Sequence, residues 1–145
     1  EIKRNPRIKI PIFGNGDVDS PEKAANWRME YEIDGIMIGR AAIGYPWIFR
    51  EVKHFFKTGE QLAGPTIEER INVCRTHLEK SIAWKGPKTG IFEMRRHYAN
   101  YFKGLPDFKP YRMRLVAEPD INNIYSILEE VAEKFANYDA TKVMA

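Results

Sequence analysis

Hydrophobic positions follow two different rhythms along the chain, and the change comes near residue 60. Before it, apolar residues occur in short dense runs. Ile8 to Phe13 is one such run, and Ile36-Met37-Ile38 is a second, apolar toward both faces. Runs this short and this uniformly apolar predict strands covered on both sides. Between them, Ser20-Pro21-Glu22 has the residues of a helix start: a capping hydroxyl, a proline suited to the first helical position and an acid at the positive helix end. The helix is predicted to run to about Tyr31, and another to begin near Pro46. Strand, helix, strand, helix predicts a parallel sheet with helices covering it.

"TGEQLAGP", Thr58 to Pro65, reads as a linker, and beyond it the period becomes helical. Thr66 with Glu69 forms a capping box, and Ile67, Ile71, Cys74, Leu78 and Ile82 then mark one face. "WKGPKTG" turns the chain. Ile91, Met94, Tyr98, Tyr101 and Phe102 predict a single second helix, ended by Gly104. Pro110 to Val116 predicts a short third helix. Ile121 to Asn137 predicts a fourth, with Ile124, Ile127, Leu128, Val131 and Phe135 inward. The expected organisation is an α/β part over residues 1–62 and an all-α part over residues 63–145.

Composition narrows the class. Of 145 residues, 43% are hydrophobic, enough for a core, which argues against wholesale disorder. The longest uncharged stretch, Ala41 to Phe49, is broken by Gly44 and Pro46 and is far shorter than the roughly 18 residues of a membrane helix. The opening segment "EIKRNPRIKI" is charged and does not read as a signal peptide. The chain lacks an initiator Met and opens on a strand that needs partners, so a piece of a longer protein is expected. The single cysteine, Cys74, has no partner for an internal disulfide, and a reducing cytoplasmic setting is the expectation. Its place on the apolar face of a helix reads as a core thiol. His54 and His77 show no metal-ligand spacing.

The net charge of +3 hides an uneven layout. Lys80 to Arg114 holds nine basic residues against two acids, Glu93 and Asp107, whereas Glu118 onward holds six acids against two lysines. A middle this basic beside an acidic tail points to a polyanionic partner.

The chemistry-bearing segments follow the two strands. "IPIFGNGDV" runs from apolar residues into Gly14-Asn15-Gly16-Asp17, and "DGIMIGRAAIGYPWIF" runs from the second strand into Gly39-Arg40. In parallel α/β folds ligands bind at the carboxyl ends of strands. Small residues there let backbone N–H groups approach an anion, and a following helix adds partial positive charge. Two neighbouring strand ends with Arg40 beside them make a candidate phosphate cradle. The same glycines are equally consistent with tight strand-to-helix turns, because one Gly-x-Gly is a weak signal. Asp17 suits a hydroxyl or the loop backbone better than a phosphate.

"PIFGNGDVDSPEKA" followed by "DGIMIGRAAIGYPWIF", together with "MRRHYANYFKGLP" at Met94 to Pro106, resembles the tRNA-dihydrouridine synthases, flavoenzymes that reduce particular uridines in tRNA. The resemblance covers nearly the whole chain. It implies an FMN-binding TIM (β/α)8 barrel followed by a helical bundle, with this chain the C-terminal fragment: the last two barrel strands with their helices, plus the helical tRNA-binding domain. It assigns Asn15, Gly16, Asp17, Gly39 and Arg40 to the FMN phosphate and ribityl end. It also implies NADPH or NADH as reductant. The family's catalytic cysteine, a lysine near the flavin and the strands gripping the isoalloxazine would lie upstream, and Cys74 matches none of them. No catalytic residue is therefore expected in this chain, nor synthase activity or tight FMN binding from it alone.

Under this resemblance the basic middle acquires a role. A base in folded RNA must be unstacked and extruded before chemistry on its ring, and the enzyme must hold the RNA by shape and backbone. Lys85, Lys88, Arg95, Arg96 and Lys103 fit that task, at least one of Arg95 and Arg96 being exposed. Ordinary solvated surface charge is the plainer alternative. Tyr98, Tyr101 and Phe102 have core spacing, while Trp84 and Tyr111 sit beside turns and basic residues and stay open between packing and base stacking. His97 reads as structural or RNA-contacting. Two rival functions remain at this point: a different FMN barrel oxidoreductase acting on a small molecule, which leaves the basic helix unexplained, and a non-catalytic RNA-binding module, which leaves the glycine loops unexplained. Two strands cannot close a barrel, so self-association through exposed strand edges is a further expectation.

Overall fold

The computed structural model describes Lys3 and residues 5–138; the expected domain limits at residues 1 and 145 lie outside them. The chain divides into two compact units, Glu1–Ala63 and Gly64–Ala145.

The first unit holds strands β1 (Phe13–Asn15) and β2 (Gly35–Met37), joined by helix α1 (Pro21–Tyr31). The strands pair in parallel, with Phe13 opposite Gly35, Gly14 opposite Ile36 and Asn15 opposite Met37. The parallel βαβ order is therefore as read from the sequence, but the first strand is not. It was expected over Ile8 to Phe13, and the ladder spans Phe13–Asn15 instead. Pairing needs a partner, and β2 starts only at Gly35. Upstream, Pro11 has no N–H to offer, the Ile12 N–H donates to the Asp34 carboxylate at 2.8 Å, and the Ile8 N–H closes a turn on the Asn5 carbonyl. Ile10 is left 70% exposed.

Local chemistry fixes the helices of this unit. The Ser20 hydroxyl accepts from the Lys23 N–H at 3.2 Å, with Pro21 in the first turn of α1. A short 3-10 turn (Arg40–Ala42) leads toward helix α2 (Ile48–Thr58), which ends at Gly59 in the left-handed conformation (φ 75°), a shape glycine adopts without strain. Val18, Ala24, Ile48 and Val52 form the core, with Trp27, Ile36, Ile38 and Tyr45 packed against it.

The second unit is helical: α3 (Ile67–Lys85), α4 (Pro87–Met94), α5 (Tyr98–Tyr101), α6 (Lys109–Ala117) and α7 (Ile121–Lys134). The capping box closes in both directions, Thr66 N–H to Glu69 at 2.9 Å and Glu69 N–H to the Thr66 hydroxyl at 3.1 Å. Ile67, Ile71, Cys74 and Leu78 are buried along α3. Burial pushes the Cys74 thiol up to about 12, so it is an inert core group. Asp120 caps α7, accepting from the N–H groups of Asn122 and Asn123 at 2.8 and 3.2 Å.

The predicted single helix through Ile91 and Phe102 is in fact two. Gly86 (φ 80°) joins α3 to α4, and Pro87 starts α4 at once. The chain then tightens at residues 95–97, where the Arg95 and His97 N–H groups donate three residues back, to Phe92 and Met94. All five apolar positions are nevertheless buried: the face was legible, the break was not. Among the described residues, no helix is long and apolar enough to cross a membrane.

Candidate functional site

The register of the two strands decides the geometry of the first candidate site. Because Asn15 lies opposite Met37, the chain leaves both strands at the same end, with Gly16-Asp17 beside Ile38-Gly39-Arg40. The side chains of Asp17 and Arg40 join there as an ion pair across the two loops. Both are exposed, Arg40 at 82%. Asn15, Gly16 and Gly39 are exposed as well.

The two glycines differ in what surrounds them. A Cβ built on Gly16 would run into the tip of the Trp27 indole, so any larger residue there must displace that ring. A Cβ on Gly39 would meet no atom within 4 Å, but its backbone, at φ −104° and ψ −98°, lies outside the regions that side-chain-bearing residues favour. The backbone thus gives glycine at 39 a reason of its own, while the loop surface beside it stays open. This open surface beside a guanidinium is compatible with an anionic end of a cofactor such as the FMN phosphate. Asp17 offsets the charge of Arg40 and fixes its guanidinium at the mouth.

The second candidate site lies on the helical unit. Lys85 ends α3, and its ammonium binds Glu93 of α4 at 2.6 Å while lying 4.6 Å from the Trp84 ring centroid. Lys88 and Lys103 are exposed. Arg96 is exposed, whereas Arg95 is half-buried with its guanidinium 5.3 Å from the centre of the Phe92 ring. Of the two aromatics left open by sequence, Tyr111 packs between Phe108 and Phe135, and Trp84 projects outward at 81% exposure.

One pairing escaped the sequence. His77 of α3 and His97 of the turn after α4 lie with ring centroids 4.8 Å apart. His77 Nδ1 is 3.0 Å from the Tyr101 hydroxyl of α5. Arg96 Nε donates to His97 Nε2 at 3.3 Å, which leaves that nitrogen unprotonated and the ring proton on Nδ1, a buried atom with no partner. Each histidine follows a buried residue by three positions, Cys74 and Met94, and that helical spacing was the available signal. Burial lowers both imidazoles, and the nearby Arg96 charge lowers them further, with Glu93 opposing at His97. Among the described residues, no cluster of three or more His, Cys, Asp or Glu groups could hold a metal ion.

A pH dependence follows with a definite sign. A histidine whose folded value lies below its unfolded value of about 6.5 binds protons more readily in the unfolded chain, so its neutral form contributes stability above that pH and loses it on acidification. Melting temperature is expected to fall from about pH 7 to about pH 5, before ordinary carboxylates titrate. His77→Phe should flatten that slope in a thermal melt series. An unchanged slope would exclude His77 as its source.

The family model described as dihydrouridine synthase matches residues 1–137. The chain belongs to the dihydrouridine synthase family. It is 36% identical over 142 residues to a protein of Pseudomonas putida named tRNA-dihydrouridine synthase B, covering 95% of this chain and 42% of that protein. A probable tRNA-dihydrouridine synthase of Rickettsia conorii is 32% identical over 132 residues, with 90% of this chain and 38% of the relative covered. A tRNA-dihydrouridine synthase B of Xanthomonas axonopodis pv. citri is 43% identical over 105 residues, covering 72% and 32%. The chain thus spans about two fifths or less of the length of these relatives.

Proposed function

We propose that the chain is the C-terminal portion of a flavin-dependent tRNA-dihydrouridine synthase. In this reading, residues 1–62 complete a (β/α)8 barrel and residues 63–145 form the helical tRNA-binding domain. The observation that carries it is the meeting of two glycine-bearing loops at one end of a parallel strand pair, in a family member that also holds a basic helical unit. Gly39 and Arg40, with Asn15, Gly16 and Asp17, would hold the phosphate and ribityl end of FMN. The flavin, when bound and reduced by NADPH or NADH, supplies the hydride for reduction of the uracil ring. This chain's own share is to hold the cofactor's anionic end and to dock RNA. Burial of Cys74 keeps its thiol out of proton transfer, so the catalytic acid is assigned to no residue here. The exposed apolar side chains of Ile10, Phe13 and Met37 would need cover from the remaining barrel or from a second copy of the chain.

The RNA part of the reading is tested with Arg95→Ala plus Arg96→Ala. The double variant is expected to bind tRNA more weakly; because Arg95 is half-buried over Phe92, the exposed Arg96→Ala single variant is the one whose thermal stability should change least. The log–log salt dependence of binding should flatten by roughly 0.7 to 0.9 for each lost phosphate contact. Equal slopes for variant and parent would show that these arginines do not touch the RNA backbone. Binding that ignores salt altogether would favour the small-molecule oxidoreductase.

A further inference from the structure

Trp84 is the most exposed large hydrophobic side chain among the described residues. Nothing in the helical core needs it: Leu78, Met94, Tyr98 and Phe102 are fully buried without its help. An indole this exposed forgoes much of the burial free energy open to a large apolar side chain. Lys85 binds Glu93 across the α3–α4 hairpin, and the same ammonium lies against the Trp84 ring. Glu93 is thereby neutralised, and its carboxyl is held below the usual carboxylate range by that hydrogen bond. Phe92, next to Glu93 on α4, is also exposed and carries the Arg95 guanidinium over its ring. Lys88 and Arg96 stand exposed on the same hairpin and the turn after it.

A flat π-face flanked by cations, with Glu93 already paired, matches the chemistry of single-stranded nucleic acid. Bases stack on aromatic rings regardless of sequence, and phosphates follow the positive charge. We propose that Trp84 is a stacking platform for one unpaired nucleobase of bound RNA, next to the phosphate-binding cations of the α3–α4 hairpin. The assignment rests on the RNA reading above and adds to it a preference for a single-stranded or unpaired nucleotide. A purely electrostatic face would bind duplex and single strand alike.

The test uses the 145-residue chain, a single-stranded oligouridylate and a blunt RNA duplex of equal length. Binding of the single strand is expected to quench tryptophan emission, and the duplex should quench little. Trp84→Leu should abolish the quench and weaken single-strand binding by about 5- to 160-fold, the range for loss of one stacked base. Its salt slope should match the parent's, since no phosphate contact is lost, and Trp84→Phe should recover most of the affinity. If Trp84→Leu binds the single strand as tightly as the parent while salt dependence persists, the platform is refuted and the RNA reading stands. If the parent binds neither RNA, both fall. Quenching by an acidic peptide but not by RNA would likewise overturn the assignment.

Discussion

Gly90→Val is expected to cost the helical unit about 3 kcal/mol, the upper end for overpacking. Gly90 is buried where α4 crosses α3. A Cβ there would lie 2.7 Å from both the Cα and the N of Ile82 and 2.8 Å from the carbonyl carbon of Ser81. These are backbone atoms, which cannot rotate away as a side-chain tip can, so the helices must separate. Separation would strain the bond from the Ser81 hydroxyl to the Gly90 carbonyl at 3.3 Å and the Lys85–Glu93 pair beyond it. For a unit of this size the loss corresponds to roughly 12 to 24 °C in melting temperature. Thermal unfolding followed by far-UV circular dichroism checks it. A variant melting within a few degrees of the parent would mean that the close crossing of α3 and α4 is wrong.

The second large effect falls on cofactor retention and causes no clash in the core. Gly39→Val in the full-length synthase proposed above is expected to lower flavin content sharply, because the added side chain occupies the approach to the loop. The same substitution creates no clash, since its Cβ meets nothing within 4 Å, and its cost to stability is the local strain of Val at φ −104°, ψ −98°, about 1 to 3 kcal/mol. Gly16→Val gives the contrast: its side chain collides with Trp27, so stability and flavin content should fall together. Absorbance of the purified proteins gives the flavin content, and a thermal melt gives the stability. Full flavin occupancy in a stable Gly39→Val protein would remove this loop from the cofactor site.

What the sequence displayed and what it hid divide along the range of the interactions. Ser20 and the Thr66–Glu69 box act within a few residues, and each sits where its chemistry required, whereas Gly104, expected to end the second helix, lies beyond its Phe102 cap in a turn at φ 90°. The apolar faces of α3 and α7 were equally legible, because helical spacing is written in the chain itself. The limits of β1 were not, since a ladder is defined by a partner more than twenty residues away. The break at residues 95–97 was hidden because the buried positions on either side keep a helical spacing through it. At the strand ends, the loops could be read as neighbours, but the Asp17–Arg40 pair depends on register. Gly16 shows how one residue type carries two explanations: the sequence offered a ligand, and Trp27 supplies a packing reason of its own. His77 and His97 meet only because α3 packs beside the turn after α4.

The central claim, that this chain is the RNA-docking and cofactor-closing portion of a tRNA-dihydrouridine synthase, is tested most directly by product analysis. The chain would be joined to the upstream part of its parent and supplied with FMN, reduced nicotinamide and unmodified tRNA. Mass spectrometry of the digested RNA would then report dihydrouridine. The expected result is uridine converted by the joined protein, with conversion sharply reduced by Arg95→Ala plus Arg96→Ala. A flavin-loaded protein that oxidises the nicotinamide with a small molecule as acceptor, yet leaves every uridine of the tRNA unreduced, would contradict it.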